Sequence, residues 1–133
     1  MSIEVQEGTV IVEKREVLTE KLAIEALQSY LEEVYKGHPS PMGLFMKLVE
    51  EVGEVAEALN KIDGRKNATP TEDLKAELSK ELADVIHYTV ALASITDIDL
   101  ASVIIEKDKE AAEKYHHDTN LATFLQRTQY NNK

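Results

Sequence analysis

Two pairs of carboxylates stand out by type and spacing. Glu51 and Glu54 lie in "KLVEEVGEVAEAL", and Glu81 and Asp84 lie in "KELADVIHYTVALA". A separation of three puts both members of a pair on one side of a helix. Like charges so placed repel by a few tenths of a kcal/mol in an exposed helix, ~0.2–0.5 per pair. The cost grows beside a low-dielectric core. Four converging carboxylates call for a cation. They are hard oxygen donors in a chain without cysteine, so Mg²⁺ is the natural occupant, with Mn²⁺ as the alternative. Magnesium keeps waters and takes up phosphate oxygens, which turns such a cluster into a site for phosphoryl chemistry.

The helical wheel separates these carboxylates from their neighbours. Phe45, Leu48, Val49, Val52, Val55, Ala56 and Leu59 fill an apolar stripe. Glu51 lies at its edge and Glu54 one step out, whereas Glu50 and Glu57 fall nearer the far side. In the following helix Leu78, Leu82, Val85, Ile86 and Leu92 form the stripe. Glu81 sits at its edge, Asp84 one step out, and Tyr88 on the same side one or two turns along. An antiparallel hairpin of the two helices brings the pairs together. Lys47, the basic residue among the glutamates, and Tyr88 are candidate substrate contacts. His87 turns away from the Glu81 side and reads as a surface or interface histidine. His116 and His117 read as a helix C-terminus complementing the dipole.

Start and stop signals frame these helices. Thr19 caps a first helix to about Lys36, and Ser40–Pro41 opens a second that runs to about Asn60. The capping-box pattern "TPTE", from Thr69, opens a third that reaches about Ile95. Asp97 or Asp99 caps a fourth from Leu100 to Tyr115. Leu121, Phe124 and Leu125 give the remaining tail (118–133) an apolar cluster that can dock. Residues 1–16, with Ile3, Val5, Val10 and Val12 at even spacing, read as an extended or strand-like segment.

Composition bounds the rest. The chain has 133 residues, enough for one domain with a core. Its formal charge of −10 argues against binding a nucleic-acid backbone. No apolar run spans a bilayer and the N-terminus carries no secretory pattern, so a cytoplasmic location is expected. Gly53, inside the second helix, costs about 1 kcal/mol relative to alanine. It faces away from the stripe, and Ala76, Ala83 and Val90 recur every seven residues on the back of the third helix. Two packed faces per helix predict a homodimer or homotetramer.

At "EEVGE" (Glu50–Glu54) and "ELAD" (Glu81–Asp84) the chain resembles the all-α, MazG-like nucleoside triphosphate pyrophosphohydrolases, whose signature is EExxE followed by ExxD. The resemblance covers about residues 20–117 and includes "DIDLASVIIEKDKEAAEKY". It implies an all-α, four-helix bundle completed by oligomerisation, with the enzymatic domain over 17–117. It also implies Mg²⁺-dependent hydrolysis of a (d)NTP to the monophosphate and pyrophosphate in nucleotide-pool house-cleaning. By resemblance Glu51, Glu54, Glu81 and Asp84 are metal ligands, and Glu50 matches the first glutamate of the catalytic motif. Lys107 matches a basic position of the family's fourth helix; Ala111 stands where asparagine is common and Lys114 where arginine is. The other readings are a phosphoribosyl-ATP pyrophosphohydrolase and a helical nucleotide- or metal-binding module without turnover.

Overall fold

The computed structural model describes residues 22–37 and 40–131. Among these the chain is all-α: α1 (Ile24–Val34), α2 (Pro41–Ile62), α3 (Leu74–Ile95), α4 (Leu100–Lys114) and α5 (Leu121–Asn131). The predicted N-terminal segment and the Thr19 cap lie outside the described residues. Within them α1 starts at Ile24, on an extended Ala23 that offers no side-chain cap. No single described helix is long and apolar enough to cross a membrane.

The caps explain the boundaries. Ser40 Oγ accepts the Gly43 N–H at 3.1 Å, and Pro41 takes the first helical position of α2, where no N–H is needed. α3 does not start at Thr69. Asp73 caps it instead, accepting the Ala76 N–H at 3.0 Å, while Thr69–Glu72 closes a turn ahead of the helix. Both segments offer capping oxygens; Asp73 directly precedes Leu74, which is half-buried, and it prevails. Asp99 is the cap of α4, accepting from the Ser102 N–H and Oγ–H. Asp97 instead closes α3 in the left-handed region at φ 57°, as the Ile98 N–H reaches back to the Ala93 carbonyl. The predicted docked tail forms a fifth helix. Asn120 accepts the Thr123 N–H at 2.9 Å, and Asp108 of α4 accepts the Leu121 N–H.

α2 and α3 form the predicted antiparallel pair, joined by residues 63–73, and share the most extensive contact. α1 lies against α3. α4 leaves α3 across a 109° bend and packs on α1 and α5. Gln28 of α1 locks that bend, because its amide donates to the Ile98 carbonyl and accepts the Leu100 N–H.

The core gathers at one end of the hairpin, around Leu31, Leu44, Val90 and Ala91. Val90 is 1% exposed, so it packs inside the chain rather than on a back face with Ala76 and Ala83, which are exposed. The apolar stripes behave the opposite way. Phe45, Val49, Val52 and Leu59 on α2, with Leu82 and Ile86 on α3, remain 44–53% exposed. On these two helices the buried positions go to Leu44, Ala58, Val90, Ala91, Ala93 and Ser94, which lie outside the stripes.

Candidate active site

Just beyond the core, α2 supplies Glu51 and α3 supplies Glu81 and Asp84. One carboxylate oxygen from each lies within 4.8 Å of the other two. Glu51 and Glu81 are half-buried and Asp84 is exposed. The Glu51 carboxyl is held above the usual carboxylate range, chiefly by a hydrogen bond to Glu81, then by burial and by the negative charge of Asp84. Such a trio fits a hard divalent cation: three oxygens converge, and their mutual repulsion is what a bound positive charge removes.

Glu54 stands outside the close trio. It lines a cleft of about 310 Å³ that continues from Glu81 toward the 63–73 loop, together with Glu57, Lys61, Glu77 and Lys80. Glu50 is exposed and bonded to Lys47 at 3.3 Å. That bond, then the charges of Glu50, Tyr88 and Glu51, raise the Lys47 ammonium above its ordinary value. Lys47 therefore lies within electrostatic reach of Tyr88 and Glu51. Lys107 and Lys114 do not join them. Both are exposed on α4; Lys114 lies 5.4 Å over the Tyr115 ring, and among the described residues no hydrogen bond or ion pair links either lysine to the trio.

Sequence reasoning passed over Lys61 and Tyr35 here and gave His87 only a surface or interface role. Lys61 is largely buried and reaches Glu72 at 3.3 Å and Glu77 at 3.8 Å, pinning the interhelical loop to the cleft. Its signal was Glu57 four residues earlier, the favourable order of a helical ion pair; in the structure Glu57 bonds Lys66 instead. Of the surface and interface readings of His87, the surface one does not hold. His87 is half-buried, with Nε2 2.7 Å from the Tyr35 hydroxyl and its ring 4.9 Å from the Tyr88 ring. Tyr35 gave no local signal, being 52 residues away. A further cleft of about 340 Å³, between α1 and the α3–α4 bend, carries Glu25, Glu32, Asp97 and Asp99 without a basic group, an unsuitable charge for phosphate.

The sequence profile described as the MazG nucleotide pyrophosphohydrolase domain matches residues 40–117, which include α2, α3 and α4. An uncharacterized protein YpjD of Bacillus subtilis (strain 168) is 37% identical over 71 residues, covering 53% of this chain and 63% of that protein. The dCTP pyrophosphatase 1 of Homo sapiens is 41% identical over 71 residues, covering 50% of this chain and 41% of that protein. That of Mus musculus is 36% identical over 78 residues, covering 56% and 45%. The chain therefore spans less than two thirds of the length of these relatives. The matched segment holds every member of the carboxylate cluster, and with the profile covering more than half of the sequence the chain belongs to the MazG nucleotide pyrophosphohydrolase domain family.

Proposed function

We propose that this chain is a Mg²⁺-dependent nucleoside triphosphate pyrophosphohydrolase, with Mn²⁺ as an acceptable substitute. The observation that carries the reading is the convergence of Glu51, Glu81 and Asp84 within 4.8 Å on the two helices that hold the paired motif. Glu54, lining the cleft next to Glu81, completes the donor set. A divalent ion there would neutralise the phosphates and lend Lewis acidity at phosphorus. The reaction joins a water oxygen to phosphorus and breaks the bond between the α-phosphate and the departing pyrophosphate. A carboxylate of the motif left free of the ion is suited to take the water proton; Glu50, paired with Lys47, keeps the first position of the motif. We assign Tyr88, four residues after Asp84 on α3, as the wall at the nucleoside end of the pocket, and Lys47 as a substrate contact. Lys107 and Lys114 serve phosphates only where α4 of a neighbouring protomer delivers them.

The remaining parts of the reading follow from the same features. The functional unit is 17–117. The half-exposed stripes of α2 and α3 are interfaces of a homodimer or homotetramer. A charge of −10 disfavours nucleic acid as a partner, and the setting is cytoplasmic house-cleaning of nucleotides. The mammalian relatives make dCTP the first substrate to try. The test is pyrophosphate release from canonical and modified (d)NTPs and phosphoribosyl-ATP, with and without Mg²⁺, for wild type and Glu54→Gln. Mg²⁺-dependent release that Glu54→Gln abolishes is expected. No release from any candidate by a folded protein overturns the enzyme reading and leaves a binding module.

A further inference from the structure

The end of α1 reaches across to the site through a chain of three rings. Tyr35 is the C-cap of α1, just before the turn into α2. Its hydroxyl meets His87 Nε2 of α3 at 2.7 Å, and the two rings stand edge-on at 5.8 Å and 70°. With the phenol as donor, Nε2 accepts and the imidazole proton sits on Nδ1. The His87 ring then meets the Tyr88 ring edge-on at 4.9 Å and 77°. Tyr35 and Tyr88 are both half-buried at the rim of the core cluster. Core packing therefore supports the Tyr88 ring on one side, and the other side faces the flank that holds Asp84 one turn earlier.

A half-buried aromatic ring keeps rotamer freedom unless something specific removes it. Here the edge contact from His87 does so, and the Tyr35 hydroxyl fixes His87 in turn. Burial raises the Tyr35 phenol above its ordinary value, with the nearby Tyr88 adding to it, so the hydroxyl keeps its proton and can donate to a neutral Nε2.

We propose that Tyr35 and His87 are positioning residues that hold the Tyr88 ring in the orientation that receives the substrate's nucleoside. Their described contacts run to each other and to the Tyr88 ring. They act on binding through preorganisation and leave the chemical step alone. The inference rests on Tyr88 bordering the nucleoside end, as in the proposed function.

The test is steady-state pyrophosphate release with dCTP, or the best triphosphate of the panel above, at saturating Mg²⁺. It compares wild type, Tyr35→Phe, Tyr88→Leu and the double variant. One hydrogen bond of ordinary net strength corresponds to about fivefold in affinity. Tyr35→Phe should raise KM about fivefold and leave kcat within about twofold. In the Tyr88→Leu background the same change should leave KM within about 1.5-fold, because no ring remains to orient. His87→Gln, which keeps an acceptor near the Nε2 position, should retain more affinity than His87→Leu. An unchanged KM in Tyr35→Phe, a fall in kcat instead, or an equal penalty without the Tyr88 ring would overturn the proposal. Wild-type protein that turns over nothing would remove the enzyme reading alone. The Kd for dCTP, titrated with Mg²⁺ by calorimetry across the same variants, then decides the positioning role, and absence of nucleotide binding overturns it.

Discussion

Glu51 of α2 and Glu81 of α3 bring carboxylate oxygens within 4.8 Å of each other and of Asp84. That proximity holds the Glu51 carboxyl above its usual range, and a bound cation would relieve the repulsion.

Removing one carboxylate should stabilise the metal-free protein. Because Glu51 is raised in the fold, its contribution is fully present below the unfolded carboxylate value, about 4.3. It is lost as pH rises through the folded value. Glu51→Gln should therefore melt above wild type at pH 7 without metal, and the gap should close as pH falls toward about 4. Thermal melts across pH check this; a gap that widens in acid contradicts it.

Mg²⁺ should reverse the order. A ligand at 100 times its Kd adds about 2.7 kcal/mol to the folded state. Wild type and Glu50→Gln should both gain Tm with Mg²⁺, since Glu50 lies outside the donor set, whereas Glu51→Gln and Glu54→Gln should not. Activity should fall by at least about 100-fold in the latter two, because even outer-shell partners of a metal site are worth ~10–100-fold. Melts and pyrophosphate assays on the four proteins decide it.

The true start of α3 can be weighed by substitution. Asp73→Ala should cost about 1 kcal/mol, whereas Thr69→Ala should stay within about 0.5 kcal/mol. Urea unfolding gives both values, and the reverse ranking would restore the TPTE start.

Gly53 tests the assembly. Within the protomer, an added Cβ would meet nothing within 4 Å, so Gly53→Ala in an isolated chain should gain about 1 kcal/mol of helix stability. If a second protomer seats closely on α2, the methyl group pushes that protomer away. The expected result is a lower mass by light scattering for Gly53→Ala than for wild type at equal concentration. A monomeric wild type at micromolar concentration contradicts the oligomer.

What the sequence revealed of this chain follows how local each cause is. Ser40–Pro41 and Asp99 mark helix starts because a cap acts within four residues. The carboxylate trio emerged from spacing, since residues three apart share a side and a hairpin aligns two such sides. Glu54 and Glu50 behaved less simply, because side-chain rotation and the Lys47 partner do not show in a wheel. The stripes misled for another reason. Periodicity says that Val52 and Ile86 share an apolar face but not what covers it, and in one protomer nothing covers it fully. Asn120, a capping residue directly before Leu121, marks the start of α5, a signal that the apolar cluster of the tail does not itself carry. The Tyr35–His87 bond joins segments 52 residues apart and has no local trace.

The placement of the core has a dynamic consequence. Leu31, Leu44, Val90 and Ala91 anchor one half of the α2–α3 hairpin. Toward the 63–73 loop the described helices bury only Ala58 fully, with Lys61 bridging to Glu72 and Glu77. Amides from Leu59 to Glu77 should therefore exchange with solvent through openings that spare Val85 to Ala93. The carboxylates lie at the boundary between these two regimes. An ion held by both helices there would act as a rivet, slowing exchange on the loop side and leaving the anchored half as it was.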